Sequence, residues 1–161
     1  MLDKVTKLFN DMEDIEYVEF TRLLSPLEVV VTKRGSCHDQ VMLEMEELQE
    51  ICLRPKAKFI MAVDKDGQGL ETHSFVYFKE ANTCYWFENA WKDRRGVYKF
   101  GSEKELIKTV MHDFAIRLGL PDDSSTKLYI AEFNPDEHTI GEDLATLVSN
   151  CMANAKEYEL D

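Results

Sequence analysis

The chain has 161 residues, 44% of them hydrophobic, and a formal net charge of −12. That is enough apolar material for one domain, residues 1–161, with a sizeable core. The acidic balance leaves no basic stripe to meet phosphates, which argues against nucleic acid or an anionic membrane as partner.

Leu2–Phe9 is amphipathic and broken by lysines, so it does not read as a signal-peptide core. No apolar run approaches membrane-spanning length, and a cytoplasmic location is the expectation. The four cysteines, at 37, 52, 84 and 151, form no Cys-x-x-Cys pair. In a reducing compartment they are expected as free thiols, with no metal site and no cofactor.

In chain order, Leu2–Met12 reads as a short helix with Val5, Leu8 and Phe9 inward. Ile15–Leu24 shows no clear period, and Tyr17, Phe20 and Leu23 are its expected core positions. Ser25-Pro26 is a turn, with Pro26 placed to open the next element. A β-branched apolar run, Leu27–Val31, precedes Thr32-Lys33-Arg34-Gly35, where Gly35 offers a change of direction. Ser36 is a good N-cap for a central helix reaching about Cys52. Val41, Met45, Leu48 and Cys52 form its buried stripe, and Glu44, Glu46, Glu47 and Glu50 its solvated faces.

Lys58–Val63 is a strand and Asp64–Gly69 a turn. Glu71–Phe78 and Cys84–Ala90 read as a β-hairpin around a polar loop at 79–83. Lys92–Gly96 is a charged turn, and Val97, Tyr98 and Phe100 add a strand. Ser102 caps a helix over Glu103–Leu118, with Glu105 completing a capping box. Leu106, Val110, Phe114 and Leu118 form the stripe of that helix, and Gly119 ends it. Lys127–Phe133 is a strand and Ile140–Ala155 a helix bearing Leu144, Leu147, Val148 and Cys151. The expected fold is α+β: a central helix carrying a cysteine, packed on an antiparallel sheet, with further helices towards the C-terminus.

Chemistry is expected at Cys37. A thiol on the first turn of a helix feels unsatisfied backbone N–H groups and the positive end of the dipole, which favour thiolate. A base is then required. His73 opens a strand after a glycine-containing loop, at the rim of a core. His38 adjoins the cysteine but points elsewhere round the helix, and His112 and His138 are weaker candidates. Across the hairpin, a four-residue loop sets His73 opposite Glu88 and a three-residue loop sets it opposite Asn89. Directly opposed residues share a face, and either could orient the imidazole.

Three ordered elements carry a resemblance: Arg34-Gly35-Ser36-Cys37-His38-Asp39 opening a helix, Thr72-His73-Ser74-Phe75-Val76-Tyr77 opening a strand, and Tyr85-Trp86-Phe87-Glu88-Asn89-Ala90-Trp91 returning. This order resembles the core of transglutaminase-like proteins, within the papain-like cysteine enzymes, over roughly residues 27–100. The third element departs from the family's Asp and is similar to a Trp-Phe-Glu-x-x-Trp variant of small bacterial and phage proteins. The resemblance favours Glu88 over Asn89. It implies a cysteine-dependent hydrolase or acyltransferase acting on a protein, a peptide or a small amide. Cys37 is then the nucleophile, His73 the general base and Glu88 the orienting residue. The Cys37 N–H is the natural first oxyanion donor. Two rivals stand beside it: a non-catalytic binding module on the same fold, and a protein partner or inhibitor working through the acidic surface.

Overall fold

A computed structural model of the chain describes residues 1–51, 53–120 and 125–160; Cys52, expected in the stripe of the central helix, lies outside them. Among the described residues are five α-helices and eight strands. In order these are α1 (Leu2–Asp11), β1 (Glu16–Tyr17), α2 (Pro26–Thr32), β2 (Arg34–Gly35), α3 (Cys37–Glu50), β3 (Lys56–Val63), β4 (Gly69–Glu80), β5 (Thr83–Glu88), β6 (Gly96–Phe100), α4 (Glu103–Arg117), β7 (Lys127–Glu132), α5 (Leu144–Ala153) and β8 (Lys156–Tyr158). A 3-10 turn, Lys92–Arg94, joins β5 to β6.

Six strands form one antiparallel sheet in the order β6-β5-β4-β3-β7-β8, and β1 and β2 make a small parallel pair. The central strands are apolar on both faces because both are covered. Ala57, Phe59, Val76, Phe78, Tyr85 and Phe87 face a core filled by α1, α2, α3 and α5. Ile60, Ala62, Phe75, Tyr77 and Trp86 face a second core in which α4 supplies Leu106, Val110 and Phe114. The mixed α+β architecture is as the periodicities indicate. No helix among the described residues is long and apolar enough to cross a membrane.

Several local features differ from the sequence reading. Leu27–Val31 folds as α2 despite its β-branching, because Ser25 and Glu28 close a capping box and Pro26 sits in the first turn. Tyr17, expected in the core, is exposed. Glu105 does not close a box with Ser102: its Oε2 accepts the Gly101 N–H at 3.0 Å, while Ser102 Oγ accepts the Glu105 N–H. The last helix starts at Leu144, because the Asp143 carboxylate caps it by accepting the Ala145 N–H. β8, beyond that helix, extends the sheet edge unannounced by any alternation.

Candidate active site

The N-terminus of α3 is fixed from several sides. Ser36 Oγ accepts the Asp39 N–H at 3.4 Å, and Asp39 Oδ2 accepts the Ser36 N–H at 2.8 Å. The other Asp39 oxygen accepts the Leu24 N–H at 2.8 Å, tying the segment before α2 to the helix start. Gln40 Nε2 donates to the Gly35 carbonyl at 3.0 Å. The change of direction falls at Lys33, in the left-handed region at φ 55°, and not at Gly35. Gly35 is required for closeness instead: a Cβ there would come within 3.0 Å of the Asp39 Cβ. This frame sets Cys37 at the first helical position, 3% exposed. The capping box leaves the N–H groups of Cys37 and His38 unused.

His73 reaches the same place from the sheet. Its strand pairs with β3 through Ile60, but the ladder with β5 ends at Val76–Phe87, so His73 lies beyond the last pair on that side. Neither expected hairpin register occurs. Glu80 pairs with Thr83, leaving a two-residue loop in which Ala81 takes a positive φ of 52°. Continuing that register sets Glu88 opposite Phe75, on the face of the sheet that His73 shares, so the two meet diagonally. His73 Nε2 and Glu88 Oε2 are 2.8 Å apart, with both side chains almost wholly buried. Glu88 Oε1 accepts the Trp91 N–H at 3.0 Å, so the carboxylate is held at both oxygens. Trp91 packs edge-on to the His73 ring at 5.5 Å.

Asn89 is turned the other way. Its amide donates to the Met12 carbonyl and to Gln40 Oε1, and accepts from Arg95 Nε. It ties α1, α3 and the 3-10 turn together, and the imidazole is left to Glu88.

The electrostatics centre on the thiol. Burial alone pushes the Cys37 pKa up, but the charges and hydrogen bonding of His38 and then His73 outweigh it and bring the thiol down to about 5. Burial pulls His73 down, and the Glu88 charge, with hydrogen bonding to Cys37 and Glu88, carries it up to about 10. With Nε2 taken by Glu88, Nδ1 is the ring nitrogen left for the sulfur. A thiolate–imidazolium pair is therefore the favoured form across neutral pH.

Three groups that the sequence reading left out belong to this cluster. His38, expected to point away, is buried. Its Nδ1 is 2.6 Å from Ser74 Oγ, its Nε2 3.2 Å from Thr72 Oγ1, and its ring stacks on Phe59. Glu44, expected in solvent, is 2% exposed, and burial together with the nearby Glu88 charge holds its carboxyl well above the usual range. Seven residues after Cys37, it sits two turns along the same helix face, a spacing visible in the sequence. The hydroxyl of exposed Tyr17 hydrogen-bonds Glu19 at 3.2 Å and interacts with the Cys37 sulfur. No sequence period announces it, because the contact depends on β1 lying alongside β2 in parallel, Tyr17 beside Gly35.

A polar cavity of about 240 Å³, lined by Tyr17, Ala90, Trp91, Lys92, Asp93 and Arg117, adjoins the cluster. A larger one, about 630 Å³, is lined by Lys58, Ile107, Ile130 and Tyr158 among others and shares no residue with it. The chemistry, and not the volume, selects the smaller. No protein-family model and no curated protein matches the chain.

Proposed function

We propose that the protein is a cysteine-dependent hydrolase or acyltransferase acting on amide or ester carbonyls, with a transglutaminase-like, papain-like arrangement of its core. The observation that carries the reading is His73 bonded to the Glu88 carboxylate at 2.8 Å and interacting with a thiol at the first position of a helix. As thiolate, Cys37 attacks the carbonyl carbon, forming the C–S bond and moving an electron pair onto oxygen. The Cys37 N–H, left over by the capping box, donates to that oxyanion. On collapse, the His73 imidazolium gives its proton to the departing amine or alcohol, leaving a thioester on Cys37. Neutral His73 then takes a proton from water or an incoming amine, which displaces the sulfur and restores the thiolate. Glu88 holds His73 in the tautomer that points Nδ1 at sulfur and stabilises its charged form.

The test is iodoacetamide labelling of each cysteine against pH, in wild type and His73→Ala, together with acylation by p-nitrophenyl acetate. The expected outcome is Cys37 labelling that persists down to about pH 5, an acetyl adduct on Cys37, and loss of at least ~10⁴-fold in turnover in Cys37→Ala. Without His73 the thiol pKa rises, so the labelling advantage at pH 6 shrinks.

A second reading, a non-catalytic binding module on the same fold, is favoured by one observation: the thiol is only 3% exposed. Slow labelling with an ordinary thiol pKa of about 8.5, indifferent to His73→Ala, decides for it.

A further inference from the structure

The cavity beside the cluster is lined by two residues, Trp91 and Tyr17, that in turn contact the reacting pair. Trp91, on one wall, packs against the His73 ring and gives its N–H to Glu88. Tyr17, also in the lining, interacts through its hydroxyl with the Cys37 sulfur. Tyr17 thus joins this space to the Cys37 side of the pair and Trp91 joins it to the His73 side. We propose that this cavity is the site that receives the acyl group, and that the Tyr17 hydroxyl is the second oxyanion donor, partnering the Cys37 N–H. The inference rests on the catalytic reading above and adds to it a substrate-binding space and a residue.

Three features support the assignment. First, Tyr17 is positioned by backbone pairing: it sits in register with Gly35, two residues before the nucleophile, and the Val18 N–H donates to the Gly35 carbonyl at 3.2 Å. Its placement therefore follows that of the helix start and is not left to a free side chain. Second, its proton is kept. Burial, and then the neighbouring Cys37 and Glu19 charges, push the phenol far above its ordinary value, so it remains a donor across neutral pH. Third, the geometry follows the charge. In the resting site the hydroxyl donates to the Glu19 carboxylate at 3.2 Å and also interacts with Cys37. When the thiolate attacks, the negative charge leaves sulfur for the carbonyl oxygen one bond beyond the new C–S bond, and the hydroxyl has only to swing with it. A donor made stronger by the charge that develops is a transition-state contact.

The experiment is Tyr17→Phe, read by two reactions at Cys37. Acetylation by p-nitrophenyl acetate builds an oxyanion; alkylation by iodoacetamide displaces iodide and builds none. The expected result is a fall of about 10²-fold in the single-turnover acetylation rate at saturating ester, with the alkylation rate at pH 8 within about twofold of wild type. Equal losses in both reactions overturn the proposal by making Tyr17 only a tuner of the thiol. Faster alkylation with unchanged acetylation overturns it in favour of a gate over the sulfur. If the wild type forms no acetyl adduct at all, the catalytic reading fails and takes this inference with it. An adduct that forms equally fast in both proteins overturns this inference alone. Tyr17 is 41% exposed and the substitution removes one oxygen, so the fold is expected to survive it.

Discussion

Helices α3 and α4 have nearly the same length, and each starts at a serine cap, yet they are buried in opposite ways. In α4 the buried residues are Leu106, Val110, Met111, Phe114 and Ala115, one apolar stripe on one face of the sheet. In α3 every residue from Cys37 to Glu44 is buried, including His38, Asp39, Gln40 and Glu44. Burying polar groups costs free energy unless each is bonded or neutral, and α3 meets that cost residue by residue. Asp39 accepts two backbone N–H groups, Gln40 bridges Gly35 and Asn89, and His38 lies against two hydroxyls. At Glu44 burial and the Glu88 charge favour the neutral carboxyl, raising its pKa well above the usual range. A helix that only packs, like α4, has no reason to carry such a set.

The contrast can be broken or sharpened by substitution. The largest effect on stability is expected in α4: Phe114→Ala, at a fully buried position, should cost about 3–5 kcal/mol. At a temperature where the variant remains folded, its Cys37 labelling rate should match wild type, as measured by denaturant melts beside labelling. A change in Cys37 reactivity there would show the two helices to be coupled through the sheet.

Glu88→Gln sharpens the α3 side. Removing the carboxylate charge takes away the largest influence raising His73, so the imidazolium should deprotonate below its present value of about 10. Because the base must be charged to accompany the thiolate, the alkaline limb of the acetylation profile should move to lower pH, with turnover reduced about 10–10²-fold. An unmoved alkaline limb would remove Glu88 from its assigned role.

The smallest effect is expected from Glu44→Gln. The folded state favours the neutral carboxyl to a higher pH, whereas the unfolded chain ionises it above about pH 4.3. Unfolding at neutral pH therefore releases a proton, and the stability of the wild type falls as pH rises from that point. Glutamine keeps the shape and cannot ionise. The variant should gain on the order of 1 kcal/mol at pH 8, seen as a melting temperature about 2–4 °C higher, and the gain should vanish toward pH 4. A loss of stability at pH 8 would mean that Glu44 is needed as an anion.

Local chemistry made much of this protein legible from its sequence. The Ser36 and Ser102 caps, the stripe Leu106-Val110-Phe114, the turn after Asp64 and the strands on either side of it depend on residues a few positions apart, and each is found where its spacing puts it. Adjacency in three dimensions could not be read the same way. A loop shorter by one or two residues moved the hairpin register, and Glu88 meets His73 on a diagonal that no simple pairing rule supplies. From their own elements, His38 reads as pointing away from the thiol, Glu44 as solvent-facing and Tyr17 as core. Their surroundings are made by β4, by the buried carboxylate of β5 and by a parallel pairing across eighteen residues of chain. Sequence alone determined most of the elements, the serine caps of α3 and α4 and the candidate thiol, imidazole and carboxyl, because those are set by propensity and short-range hydrogen bonding. Only the tertiary structure decided which of the polar residues face that thiol, because burial and the charges of distant segments, and not local period, set the environment of a side chain.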